Sequence, residues 1–314
     1  MILETILLIV FLAILVLSAN QAVNAISKFS RIVGISELSS GLVIVAVSTS
    51  IPETTVAVFS ATSGNIGLTL GDVFGSNVTN IALVAAILLI LSPIRKVEDR
   101  GTVVSLSRQL ILASLIPLLL LIVRAGSRIV GFILLVIFVY FVYRTLKSGK
   151  DKEIKKVSDS PLKQLLIFFV MIALVIVSAR IVVENASSIA VSTGVRESVI
   201  GASIVALGTS LPELSVDTIA VRKGHLGLAL GDIIGSCVTN ITLVLGIALS
   251  LSAVSTDFRI LTELVSFAIA APLIMVFFIR DGRISKWNSL VLFAVYATFL
   301  VLMYGTQFSL GPRI

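Results

Sequence analysis

Apolar residues run along this chain in blocks of roughly 20, each nearly free of charge, with short polar stretches between them. The blocks lie near 3–25, 40–64, 67–92, 106–123, 128–146, 162–189, 198–221, 226–252, 260–279 and 287–306. Each is long enough to cross the hydrocarbon core of a bilayer as a helix, so the pattern predicts ten spans. Two blocks break the pattern from within. VSTSIPETT, Val47 to Thr55, and LGTSLPELS, Leu207 to Ser215, set a helix breaker beside a carboxylate and surround both with hydroxyls.

Those stretches belong to a longer repeat. Glu213 follows Glu53 by 160 residues, and the same offset relates Gly231 to Gly71 and Asn240 to Asn80. The windows 41–80 and 201–240 agree at about half of their positions, and the register extends back through Ser18 and Ser178, Ala19 and Ala179, Ser27 and Ser187, Gly34 and Gly194. Each half is therefore a five-span unit, 1–146 and 164–314, joined by 147–163. Five is odd, so the second unit enters the membrane from the opposite side. The expected fold is an all-α polytopic membrane protein of ten transmembrane helices, built as two inverted five-helix repeats with helices 2 and 7 broken at the centre. Such repeats are characteristic of secondary transporters that alternate access to a central site.

Composition agrees with the membrane reading and charge adds orientation. The chain is 57% hydrophobic and only 13% charged. Its net charge of +7 does not point to nucleic acid, because the basic residues are sorted by side. With the N-terminus outside, 18 of the 24 Lys and Arg fall on the cytoplasmic side, including the lysine-rich 147–163 linker, and Arg180 lies in a span. This is the positive-inside rule: both termini are expected outside, the linker in the cytoplasm, and the lipid bilayer of the cell membrane as the surrounding medium. The first block ends in small residues, LIVFLAILVLSANQA, but its leading segment carries Glu4 and no Lys or Arg, so cleavage is not expected. Cys237 is the single cysteine and reads as a packing residue. His225, the single histidine, reads as a solvated loop residue.

The interrupted blocks carry the chemistry. Pro52 has no N–H, so the carbonyl of Ser48 loses its helical partner and the helix is expected to open around Ala46 to Thr49; Pro212 does the same to Gly208. Glu53 and Glu213 follow directly, and a carboxylate at bilayer depth is by default a functional group facing a cavity. Freed carbonyls, hydroxyls and two carboxylates make a cage of hard oxygens, suited to Ca²⁺ or Na⁺ and not to soft metals. The companion motif, GDVFGSNVTN and GDIIGSCVTN, places Ser76 with Asn80, and Ser236 with Asn240, on one helix face, i and i+4. Ligand roles are favoured over polar packing for these four because both copies keep the pattern, whereas close helix packing explains the glycines. Asp72 and Asp232 are expected nearer opposite membrane surfaces, as vestibule charges or helix-start carboxylates. Asp217, one turn beyond Glu213, has Ala57 as its counterpart and reads as an auxiliary negative charge. Arg180 and Glu184 are expected to pair structurally.

The doubled TS-[IL]-P-E followed by G-x-x-x-G-S-x-x-x-N resembles the α-repeats of the calcium/cation antiporter superfamily, most closely its prokaryotic sodium/calcium exchangers, across nearly the whole chain. The resemblance implies that Glu53 and Glu213 bind Ca²⁺ with Thr49 and Thr209. It implies that Na⁺ uses the carbonyls of Ala46 and Ala206 and the hydroxyls of Ser50, Ser210, Ser76 and Ser236 beside the same glutamates, with Asn80 and Asn240 completing the central position. At Asn240 the chain departs from relatives that carry Asp. The resemblance further implies that the first and sixth spans slide as gates against the other eight. No cofactor is implied beyond the transported ions Ca²⁺ and Na⁺, and no obligate protein partner is evident.

Three alternatives remain at this level. Proton-coupled relatives share the fold, so an H⁺/Ca²⁺ exchanger is the nearest. The duplicated Ser, Thr and Asn oxygens exceed what one Ca²⁺ needs, which favours Na⁺. An intramembrane aspartyl protease would need its aspartates adjacent and the Gly-x-Gly-Asp pattern, which is missing. A cation channel fits poorly with an inverted repeat closed around a central site.

Overall fold

Long runs of Leu, Ile and Val with their breaks at Pro, Gly and polar clusters give helices throughout. The computed structural model describes residues 2–62, 66–92, 100–123, 127–149, 160–192, 206–251, 258–281 and 285–309. The elements are α1 (Ile2–Val33), α2 (Glu37–Ser40), a π segment (Gly41–Val45), α3 (Ala46–Thr49), α4 (Ile51–Thr62), α5 (Ile66–Val78), a π segment (Thr79–Val84) and α6 (Ala85–Leu91). They continue with α7 (Arg100–Val123), α8 (Arg128–Ser148), α9 (Pro161–Ser192), α10 (Ala206–Thr209), α11 (Leu211–Arg222), α12 (Leu226–Thr239), a π segment (Asn240–Val244), α13 (Leu245–Leu251), α14 (Phe258–Asp281) and α15 (Lys286–Ser309). Among the described residues, six helices are long and apolar enough to cross a membrane, or seven if the pair Glu37–Thr49 and Ile51–Phe59, bent by 42°, is one span. The start of the expected span 198–221, and most of the linker, lie outside the described residues.

Burial sorts the helices into a core and a shell. The stretches Thr69–Leu91 and Leu226–Leu251 are 78% and 83% buried within the protein, whereas Arg128–Ser148 is 17% buried. Phe132, Val136 and Val139 on α8, and Ile6, Ile9 and Leu17 on α1, stand exposed. An apolar surface of that extent would associate in water and fits lipid instead. Helices related by the internal repeat also pack on one another. α1 lies along α9, α7 lies along α14, and α12 contacts the π segment after α5.

One end of the bundle is tied by polar contacts. Ser36 caps α2, its Oγ accepting from the Ser39 N–H at 3.2 Å, while its own N–H donates to the Gly149 carbonyl at 2.7 Å. The end of α8, and with it the start of the linker, therefore sits beside α2. His225 is not the free loop side chain that its position suggested. Its Nδ1 lies 2.8 Å from Glu37 Oε1, which also accepts from Ser27 Oγ at 2.9 Å. Lys223 adds a bond to the Asn20 carbonyl at 3.2 Å. The α11–α12 turn is thus fastened to α1 and α2.

The glycines of the second repeat admit close backbone approach, as expected. A Cβ at Gly231 would lie 2.4 Å from the Leu38 carbonyl oxygen, and one at Gly235 would lie 2.4 Å from that of Leu42. At Gly71 and Gly75 no neighbour among the described residues comes within 4 Å of such a carbon; the segment corresponding to 38–45 lies outside the described residues. Arg180 and Glu184 form the expected pair, 2.7 Å apart and exposed.

Candidate ion-binding site

The two breaks fall one residue later, and are tighter, than the prolines alone suggest. α3 stays helical through Thr49, and the chain turns at Ser50, with φ −80° and ψ 10°. The second break turns at Ser210, with φ −92° and ψ 4°. In each copy the serine carbonyl accepts the N–H four residues on, Thr54 and Leu214, both at 3.0 Å, so the next helix starts at once. The Ala46 carbonyl is consequently not bare. It accepts the Ser50 N–H at 3.1 Å and the Thr49 hydroxyl at 3.3 Å, which reduces its capacity for a ligand.

Glu53 and Glu213 sit immediately past these turns, both with no exposed surface. Among the described residues none of their four carboxylate oxygens has a hydrogen-bond partner within the usual distance, although the Thr49 hydroxyl lies near enough to Glu213 to interact with it, and the Oγ atoms of Ser50 and Ser210 are likewise unpartnered. Both amide atoms of Asn80 and the Oδ1 of Asn240 are buried in the same unsatisfied state. Buried carboxylates without a donor are costly by several kcal/mol, so their persistence calls for a positive charge among them. Glu53 lies within electrostatic range of Glu213, Asp72 and Asp232.

The remaining polar side chains bridge the halves. Thr49 Oγ1 donates to the Asp232 carboxylate at 3.3 Å and lies 3.4 Å from Ser236 Oγ, which itself donates to Asp232 at 3.3 Å. Asn240 Nδ2 donates to Ser76 Oγ at 3.1 Å and to Asn77 Oδ1 at 3.2 Å. Thr209 is half-buried at the end of α10, and Ala206 opens that helix. Among the described residues no three Asp, Glu, His or Cys side chains converge on one metal-sized point. A cation held here draws on hydroxyl, amide and carbonyl oxygens as well as carboxylates, the donor set of Na⁺ and Ca²⁺.

Two placements differ from the sequence reading. Asp232 is not an exposed vestibule charge: it is fully buried against Thr49 and Ser236. Counting residues along α12 missed this, because α3, which carries Thr49, packs directly against α12. Asp72, in contrast, is only partly buried, although its Oδ2 is enclosed. Asn77 was missed altogether. Its Nδ2 donates to the Cys237 carbonyl at 3.2 Å, and the Cys237 thiol approaches the Asn77 carbonyl at 3.9 Å. The available signal was the one place where GSN becomes GSC between the copies.

These features place a doubled, oxygen-lined, charge-bearing centre in an apolar helical bundle, and comparison with known proteins gives it a family. The profile of the sodium/calcium exchanger protein family matches residues 3–147 and 163–305. The chain belongs to the sodium/calcium exchanger family. The putative antiporter CaxA of Alkalimonas amylolytica is 34% identical over 261 residues, covering 79% of this chain and 80% of that one. The sodium/calcium exchanger MaX1 of Methanosarcina acetivorans is 28% identical over 336 residues, covering 93% and 96%. The solved sodium-calcium exchanger NCX_Mj superposes with a TM-score of 0.81 at 25% identity, over 96% of this chain and 98% of that one. As a member of the sodium/calcium exchanger family, the chain is a multi-pass membrane antiporter of cations, with Ca²⁺ and Na⁺ the ions of the family; it is not an enzyme and needs no cofactor.

Proposed function

We propose that the protein exchanges Na⁺ for Ca²⁺ across the cell membrane by alternating access to the centre between the two breaks. One observation carries this reading: two fully buried glutamates, one from each repeat, lack a close hydrogen-bond partner among the described residues, and unsatisfied hydroxyl and amide oxygens are buried with them. Glu53 and Glu213 with Thr49 and Thr209 hold Ca²⁺. The same glutamates serve Na⁺ with Ser50, Ser210, Ser76, Ser236 and the Ala46 and Ala206 carbonyls, the Thr49 hydroxyl giving up its bond to Ala46 when the ion binds, and Asn80 and Asn240 complete the centre. Both cargoes need the same carboxylates, which makes exchange obligatory.

The architecture behind this is ten spans in two inverted repeats, 1–146 and 164–314, with the 147–163 linker in the cytoplasm and both termini outside. The reciprocal contact of Asn77 with Cys237, equivalent positions 160 residues apart, supports a two-fold relation running through the core. So does the packing of α1 on α9 and of α7 on α14. The names of MaX1 and NCX_Mj support Na⁺ as the driving ion. If more than two Na⁺ move per Ca²⁺, each net charge couples to the membrane potential by ~2.3 kcal/mol per 100 mV.

The test is Ca²⁺ uptake into vesicles holding the purified protein, loaded either with Na⁺ or with acid and no Na⁺, the potential clamped by valinomycin. Uptake is expected only with the Na⁺ load. Uptake driven by the pH gradient and indifferent to Na⁺ would make the protein an H⁺/Ca²⁺ exchanger.

A further inference from the structure

The α11–α12 turn meets α1 and α2 through polar contacts that the ion centre does not use, at the end of the bundle where Ser36 also binds Gly149 and the linker starts. Asn20, Asn24 and Ser27 follow one another at helical spacings of four and three and so share a face of α1. Lys223 Nζ donates to the Asn20 carbonyl at 3.2 Å and to the side-chain oxygen of Asn24. Ser27 Oγ donates to Glu37 Oε1 at 2.9 Å, and that oxygen lies 2.8 Å from His225 Nδ1, itself 3.5 Å from Ser27 Oγ. Three elements thus meet at one imidazole. Among the described residues the groups facing it are Glu37 of α2 and Ser27 of α1. Arg31 of α1 is within electrostatic range of Glu37, with its Nε on the Ser27 carbonyl at 3.2 Å, and Lys223 on the turn itself is bonded away to α1.

The internal repeat shows which of these groups belongs to this end alone. At the 160-residue offset Ser27 and Glu37 recur as Ser187 and Glu197, but His225 is matched by Asn65 and Lys223 by Ser63. Asn20 and Asn24 are matched by Arg180 and Glu184, which bond each other instead. The serine and the carboxylate are duplicated; the titratable base is not. A neutral imidazole gives Glu37 an ordinary hydrogen bond, whereas an imidazolium gives a charge-assisted one about twice as strong. We propose that Ser27, Glu37, His225 and Lys223 form a latch holding α1 against the core at the linker end, and that protonation of His225 tightens it, so that acid on that side slows exchange. The effect on transport rests on the exchange reading, with α1 as a moving helix. Displacement of α1 along its axis carries Asn20, Asn24 and Ser27 past the turn together and breaks these bonds. A tighter latch therefore favours the present position of α1 over any displaced one. The extra hold is complete below the range in which a histidine titrates, and is lost as pH rises through it.

Ca²⁺ uptake by the purified full-length chain in Na⁺-loaded vesicles, with pH equal on both sides, tests this at about pH 8 and about pH 6, on either side of the ordinary histidine range. From the higher pH to the lower, the wild type is expected to slow by about threefold more than His225→Gln, the size set by one partly exposed charge-assisted bond. His225→Asn, the residue of the other repeat, should match His225→Gln, and Glu37→Gln should lose the same component. Lys223→Gln, which cuts the other tie, should run faster at both pH values and keep the wild-type ratio between them. The chain has a single histidine, so the comparison isolates it. The buried carboxylates Glu53, Glu213 and Asp232, with Asp217 fully buried one turn past Glu213, are common to all these variants, and their titration cancels. Hydrogen exchange of the backbone amides of 222–226, corrected for intrinsic rates, reads the latch without transport: protection should be greater at the lower pH in the wild type and equal at both in His225→Gln. A pH ratio of uptake unchanged by His225→Gln, or wild-type protection indifferent to pH, would overturn the latch. Failure of the exchange reading looks different: the wild type moves no Ca²⁺ with a Na⁺ load, while protection of the turn still follows His225.

Discussion

At the scale of single residues, the decisive property is the unsatisfied carboxylate. Glu53→Gln or Glu213→Gln keeps the shape of the side chain and removes one of the charges that neutralise a divalent ion. Either change is expected to abolish Ca²⁺ flux in vesicles, with the protein still eluting as a folded species. Asp72→Asn, at a partly exposed position, should weaken apparent affinity mainly at low salt, where screening is least. Near-normal flux in both glutamate variants would remove them from the site. Asn240→Asp makes a different prediction. Its Nδ2 donates to Asn77 Oδ1, so the aspartate sets acceptor against acceptor in a buried place. The cost should be about 1–3 kcal/mol in cation-free protein, and added Ca²⁺ should recover it by binding only the folded state. Thermal melts with and without Ca²⁺ measure both effects.

The glutamates were legible in the sequence because duplication repeats them at a fixed offset and bilayer depth makes a charge conspicuous. Asn77 was not, since its counterpart is Cys237 and the pattern it belongs to is broken there. The burial of Asp232 was not legible either. Counting residues along a helix gives depth, but it does not show which partner from another segment will bend onto that residue.

At the scale of elements, proline announced both broken helices, and the backbone placed the turns at Ser50 and Ser210. The π segments Thr79–Val84 and Asn240–Val244 had no sequence signal, because an i→i+5 turn inside an apolar run leaves the hydrophobic pattern unchanged. They hold Asn80 and Asn240, in keeping with the tendency of such bulges to occur at functional sites. Pro52→Ala tests what the break is for. An alanine restores a donor for the Ser48 carbonyl, worth about 1 kcal/mol, and favours a straight helix. The variant should melt higher and bind Ca²⁺ more weakly. Opposite signs in these two measurements distinguish a break kept for the site from one kept for folding, in which case both would fall together.

At the scale of the whole molecule, the odd number of spans per unit and the sorting of Lys and Arg are what carry the proposed inverted architecture and its orientation. The fastening of the α11–α12 turn to α1 and α2 was not readable, since it depends on Ser27, Glu37 and His225 meeting from distant parts of the chain. The contact between Asn77 and Cys237 has a practical consequence. The chain's only thiol lies fully buried between the two repeats, so the wild-type protein carries its own chemical reporter of whether those repeats separate. If α1 and α9 slide over a core that stays closed, maleimide should label Cys237 no faster during active exchange than at rest. Labelling that quickens with turnover would show that the core itself breathes open at each cycle, and that the moving parts extend beyond the two outer helices.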